Sequence, residues 1–93
     1  MSLDINTVET FYTHVDYEDY DWSVIGVIKA DDGYYVGTDC GCSCNSPWDY
    51  YEDASDFVGP MSFEDMCAEV RSIAEMYQDV DSSELDEYLG SLR

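Results

Sequence analysis

Apolar residues alternate most regularly over residues 22–30. Trp22, Val24, Gly26, Ile28 and Ala30 fall on one side there, and Ser23, Ile25, Val27 and Lys29 on the other. A period of two predicts a strand, and apolar residues on both sides predict one that is central and covered on both faces. Asp32-Gly33 then supplies a two-residue hairpin turn, because Asp and Gly tolerate the positive φ of a type I′ turn. That turn sets Ala30 opposite Tyr35 and Ile28 opposite Gly37, with a return strand over 34–38. Residues 7–15 are rich in β-branched and aromatic types and read as a further strand, although Val8, Tyr12 and Val15 also fall at helical spacing. Residues 16–21 form an acidic, tyrosine-rich connector. Residues 45–60 read as a loop: Asn45-Ser46-Pro47 favours a turn, and Trp48, Tyr50, Tyr51 and Phe57 alternate with acids so that the rings tuck the loop onto the sheet.

The pattern then changes period. Phe63, Met66, Cys67, Val70, Ile73, Ala74 and Tyr77 recur at three and four residues and form one apolar stripe. Ser62 is placed to cap this helix, Glu64 and Asp65 suit its positive end, and Met61 and Met66 occupy the two positions of a hydrophobic staple. The helix is expected over 62–78. A second start follows at Asp81-Ser82-Ser83-Glu84, with Asp81 accepting from the backbone and Glu84 reaching back. Leu85, Tyr88, Leu89 and Leu92 give a short stripe, and Gly90 stands near the expected end.

These elements define an α+β chain in a single domain, residues 1–93. A small antiparallel sheet of two or three strands, with its hairpin at 22–38, is expected to pack against one main helix (62–78) plus a short C-terminal helix (82–90). No run is long and apolar enough to span a bilayer, and the start lacks a basic region followed by an apolar core, so the expected setting is cytoplasmic.

Charge narrows the functional classes. Twenty-two Asp and Glu face three basic residues, Lys29, Arg71 and Arg93, for a formal net charge of -19. Such a chain repels phosphate and anionic lipid, which argues against direct nucleic-acid or membrane binding. A protein with a basic surface is the natural partner, for instance a nucleic-acid-handling enzyme whose groove the acids occupy as DNA would. The acids expected to face such a partner are Asp16, Glu18, Asp19 and Asp21 in the connector, and Glu64, Asp65, Glu69, Glu75, Asp79, Asp81, Glu84, Asp86 and Glu87 towards the C-terminus. Acidity of this kind also serves solubility or a high-salt setting. Residues 79–84 begin like a calcium-binding EF-hand loop. Glu84 stands where that loop needs glycine, however, and Gly90 where it needs the bidentate acid.

Four cysteines raise a second possibility, a zinc module held by Cys40, Cys42, Cys44 and Cys67. Zinc ligands are normally paired two to four residues apart, whereas Cys40, Cys42 and Cys44 alternate. On a strand such thiols share a face but stand about 7 Å apart, so a kink at Gly41 would be needed to aim them at one ion. A disulfide between Cys67 and one loop cysteine is the other pairing, with reduced thiols expected in the cytoplasm. Cys67 also reads simply as a core residue of the apolar stripe. No catalytic constellation is apparent: acidic surroundings disfavour a thiolate, His14 is the lone histidine, and no basic cluster could hold an oxyanion. The expected function is therefore non-enzymatic and without a cofactor, zinc being the alternative.

The run Gly41-Cys42-Ser43-Cys44, followed by Ser46-Pro47-Trp48 and trailing acids, resembles a group of small acidic proteins encoded by phages of actinobacteria. Those commonly read Gly-Cys-Ser-Cys-Pro-Ser-Pro-Phe before Glu or Asp. Cys40 stands where that pattern commonly has serine and Asn45 where it has proline, which leaves Cys42 and Cys44 as the shared thiols. The resemblance implies a phage origin and a setting in an infected bacterial host. In that setting the acidity, not the resemblance, leads to the expected function: a protein that binds and inhibits a host protein, of the anti-CRISPR or anti-restriction type.

Overall fold

The computed structural model describes residues 5–16, 18, 20–42, 46–49 and 56–93. Among these, four strands form one antiparallel meander: β1 (Glu9–Asp16), β2 (Asp21–Ala30), β3 (Gly33–Gly41) and β4 (Val58–Met61), side by side in chain order. Two helices follow, α1 (Phe63–Ala74) and α2 (Ser82–Ser91), and a short 3-10 turn at Ile5–Thr7 precedes the sheet. The expectation of two or three strands is corrected to four. The strand missed is β4, at the end of the stretch read as a loop. Its Gly59-Pro60 pair, joined by a cis peptide bond, looks like a breaker in sequence. An edge strand tolerates proline because its outer N–H has no ladder to serve.

The hairpin register also differs from expectation. Ala30 pairs with Gly33, Ile28 with Tyr35 and Gly26 with Gly37, so the two turn residues are Asp31 and Asp32. Neither takes a positive φ. The left-handed conformation falls one place later, on Gly33 (φ +140°), where a Cβ would stand 2.8 Å from the Met61 carbonyl oxygen. The slip is of two residues, which keeps every side chain on its expected face.

Both faces of β2 are covered. On one, Ile25 and Val27, each 0% exposed, join Val36, Met66, Val70, Ala74, Leu85, Leu89 and Leu92 in a core shared by the sheet and both helices. The expected arrangement, with one main helix against the sheet, is thus corrected to two helices contributing to a single core. On the opposite face Trp22, Val24 and Ile28 pack with Trp48 and Phe57, from the segment between β3 and β4, and with Ile5, Val8 and Tyr35 at the margin.

Both helices begin at their expected caps, Ser62 and Asp81, but Glu84 makes no return bond to a described residue. Ser62 Oγ accepts from the Asp65 N–H at 3.1 Å, and Met61 packs on the core that buries Met66. The first helix stops at Ala74 rather than 78. The N–H groups of Met76 and Tyr77 bond to the Ile73 and Ala74 carbonyls, a tightened last turn. That stop lets the chain reverse so that Leu85 and Leu89 return to the same core. Asp81 caps α2 by accepting from the N–H groups of Ser83 and Glu84 and from the Ser83 hydroxyl at 2.6 Å. These bonds, the Ser83 hydroxyl foremost, hold its carboxyl below the usual aspartate value. Gly90 lies inside α2, not beyond its end, and a Cβ there would meet nothing within 4 Å. Gly90→Ala is therefore expected to stabilise the domain by about 0.5–1 kcal/mol, read as a rise in melting temperature.

Candidate interaction surface

The outward faces of the helices carry most of the acids singled out from sequence. Glu64, Asp65, Glu69, Glu75, Glu84, Asp86 and Glu87 are all exposed, as are Asp79 and Asp81 between the helices. Some are engaged within the fold. Asp79 contacts His14 Nδ1 at 3.0 Å, Arg71 reaches Asp86 at 2.6 Å, and Asp81 is the α2 cap. Among the described residues, the carboxylates of Glu64, Asp65, Glu69, Glu75, Glu84 and Glu87 make no hydrogen bond or ion pair. Glu64 and Asp65 lie in the first turn of α1 and Glu84 in that of α2, where the helix dipole favours negative charge.

The connector adds a second acidic cluster. Asp16 ends β1 and Asp21 begins β2, and the two are direct cross-strand partners. Exposed Glu18 lies between them, its N–H bonded to Asp16 Oδ1 at 2.9 Å; Asp19 lies outside the described residues. Like charges placed opposite one another in a sheet are destabilising. Asp21→Asn is expected to raise stability by about 0.5 kcal/mol in chemical denaturation, with the gain shrinking at high salt.

The few cations do little to offset this field. Arg71 is engaged with Asp86, and Arg93 lies over the Phe63 ring with its guanidinium carbon 4.8 Å from the centroid. Lys29, at the exposed end of β2, makes no ion pair with a described residue.

Of the four cysteines weighed as zinc ligands, Cys40, Cys42 and Cys67 lie among the described residues. Among the described residues, no three His, Cys, Asp or Glu side chains come together closely enough to hold a metal ion. Cys40 is exposed near the end of β3. Cys42 gives its backbone carbonyl to the Trp22 indole N–H at 3.0 Å, and Cys67 packs beside the helix core. Cys44 lies outside the described residues. Burial, the larger influence, raises the Cys67 thiol above its ordinary value, although Arg71 and Arg93 pull the other way.

What the cysteine stretch positions is Trp48. Asp39 accepts from the Cys40 N–H with one carboxylate oxygen and from the Trp48 N–H with the other, at 2.9 and 2.8 Å. Trp48 takes a left-handed backbone (φ 70°), and its indole N–H donates to Thr10 Oγ1 at 2.9 Å. Asp39 was not singled out from sequence. Its only signal is an acid placed just before a turn-rich segment.

The arrangement defines a small α+β module: a four-stranded meander with an acidic two-helix layer on one face and an aromatic cover on the other. Among the described residues, no helix is long and apolar enough to cross a membrane. The chain belongs to the family described as Domain of unknown function (DUF7574), whose sequence profile matches residues 3–92. No curated protein and no solved structure matches it.

Proposed function

We propose that the protein is a non-enzymatic acidic binding protein of phage origin. It inhibits a host protein in the cytoplasm of the infected cell by covering that protein's basic surface. The observation that carries this reading is the set of six carboxylates on the helix layer that engage no described residue, in a chain whose two arginines are already held by Asp86 and Phe63. Along α1, Asp65 and Glu69 are one step of four residues apart, a rise of about 6 Å. Two phosphate steps of one DNA strand span about 6.8 Å at 3.4 Å each. In its strongest form the reading is of a DNA mimic directed at a nucleic-acid-handling enzyme. Opposite charge would make the encounter fast and sensitive to salt.

The test uses the protein as bait in lysate of an actinobacterial host, eluted in steps of rising salt. A retained nucleic-acid-handling enzyme that moderate salt releases and added duplex DNA displaces supports mimicry. With that enzyme purified, changing Glu69, Glu75, Glu84 and Glu87 together to Gln is expected to slow association about tenfold or more, with little change in stability. A partner that resists both salt and DNA, or an association rate unmoved by the four changes, overturns it.

A further inference from the structure

The two edges of the sheet are unequal. Strand β4 is four residues long and contains Pro60, which has no N–H to offer a new neighbour. Strand β1 is eight residues long, contains no proline, and pairs with β2 on one side only. Among the described residues no strand pairs with its outer side. Tyr88 caps its beginning, donating from its hydroxyl to the Glu9 carbonyl at 2.6 Å. The burial of Tyr88, with the Glu9 charge adding to it, raises that phenol well above its usual value and keeps it a donor. The stretch beyond the Tyr88 cap is 10–16, about 22 Å of strand, with Thr13 buried within it.

This edge is shaped in a way that bare exposure would not require. Between Tyr12 and His14 the register with β2 shifts: Tyr12 faces Val24 while His14 faces Ser23. Thr13 takes up the extra residue. It is 2% exposed and donates from its hydroxyl to the Ser23 carbonyl at 3.1 Å. In a regular strand Tyr12 and Val15, three residues apart, would point to opposite faces; the bulge places both on the Trp22 and Val24 side. They are 52% and 41% exposed, and Tyr20, in the adjoining turn, is 63% exposed. Three of the five large hydrophobic residues exposed among the described residues thus gather at one edge.

Natural edges are usually guarded by lysine or proline against added strands. No Lys or Arg precedes Lys29 in this chain, and the end of β1 carries Asp16, Glu18 and Asp21 instead. A second copy brings the same acids and a net charge of -19 against its like. A basic strand would meet complementary charge.

We infer that the outer edge of β1 is a docking edge, onto which a partner adds an extended segment of alternating basic and apolar residues as a fifth strand. The segment's apolar residues cover Tyr12 and Val15, and its lysines or arginines meet Asp16, Glu18 and Asp21. The inference rests on the reading of the protein as one that binds a basic partner, and it adds a contact at the sheet edge to the one on the helix layer.

The probe is a nine-residue peptide of alternating lysine and valine, compared with nonalysine and with the same peptide N-methylated at alternate residues. Binding is followed by amide shifts and hydrogen exchange on the whole isotope-labelled protein at 150 mM salt. The alternating peptide should slow exchange at amides within 10–16 about tenfold or more, and the methylated peptide should bind at least tenfold more weakly. Tyr12→Lys with Val15→Lys, both on exposed positions, should weaken binding about tenfold with the far-ultraviolet spectrum intact. The four Glu→Gln changes on the helices should alter it less than about threefold.

Equal binding of all three peptides, or shifts confined to α1 and α2, overturns the docking edge and leaves the acidic-surface reading standing. Binding at β1 in the absence of any basic partner retained from lysate leaves the edge standing and removes the wider reading. Dimerisation through β1 in 1 M salt, seen by sedimentation and abolished by the Tyr12 and Val15 changes, replaces the basic segment by a second copy and overturns the proposed occupant.

Discussion

Gly26→Val is expected to destabilise the domain by about 2–3 kcal/mol, measured as a lower urea midpoint with an unchanged slope. A Cβ at this position would stand 2.5 Å from the Trp48 ring and 2.6 Å from the Val8 side chain, well inside contact distance. Trp48 has little room to yield. Its backbone N–H is held by Asp39, its indole N–H by Thr10, and its ring packs against Phe57 at 5.3 Å between centroids. The same logic applies to Gly37, where a Cβ would meet the Phe57 ring at 2.5 Å. Pairing Gly26→Val with Trp48→Ala should cost clearly less than the sum of the two single changes, because the second removes the clash created by the first. A fully additive pair would mean that Trp48 is not seated on Gly26.

The neighbouring residue probes the other layer. Ile25→Ala is expected to cost about 3 kcal/mol and Ile25→Val about 1 kcal/mol. Ile25 is 0% exposed in the core that β2 shares with β3 and both helices, so the lost methyl groups leave a cavity that no single element can close. A domain of this length has a stability of roughly 5–14 kcal/mol in all. The alanine variant should melt on the order of 15 °C lower in calorimetry. A cost below about 1 kcal/mol would show that the helix layer is loosely held.

The elements built by local rules could be read from the chain. The doubly apolar alternation of residues 22–30 states that β2 is central. Ser62 and Asp81 announce helices because a cap needs only the next three residues. The period of the stripe on α1 identifies Met66, Val70 and Ala74 as its inner side. What could not be read depends on partners distant in sequence. Strand β4 exists because β3 lies beside it, and nothing within Gly59-Pro60 records that. The turn settled at Asp31 and Asp32 because only Gly33 tolerates the close approach of the Met61 carbonyl. The bulge at Thr13, on which the docking edge depends, leaves no mark in sequence.

The acids of the candidate surface could be counted, but not their engagement. Asp79 and Asp86 are drawn into pairs by His14 and Arg71, sixty-five and fifteen residues away. The cysteine spacing likewise could not show that the Cys40 N–H would bond to Asp39, that the Cys42 carbonyl would accept from Trp22, or that Cys67 would pack beside the helix core.

The location of the two tryptophans has a practical consequence. Trp22 and Trp48 both belong to the aromatic cover, and neither touches the helix layer's core. Tryptophan fluorescence, excited selectively, therefore reports on one face of the sheet, while far-ultraviolet dichroism is dominated by the helices on the other. The two optical transitions coincide only if the faces come apart together. If the emission changes first, the aromatic cover opens as a separate unit over an intact sheet-and-helix core.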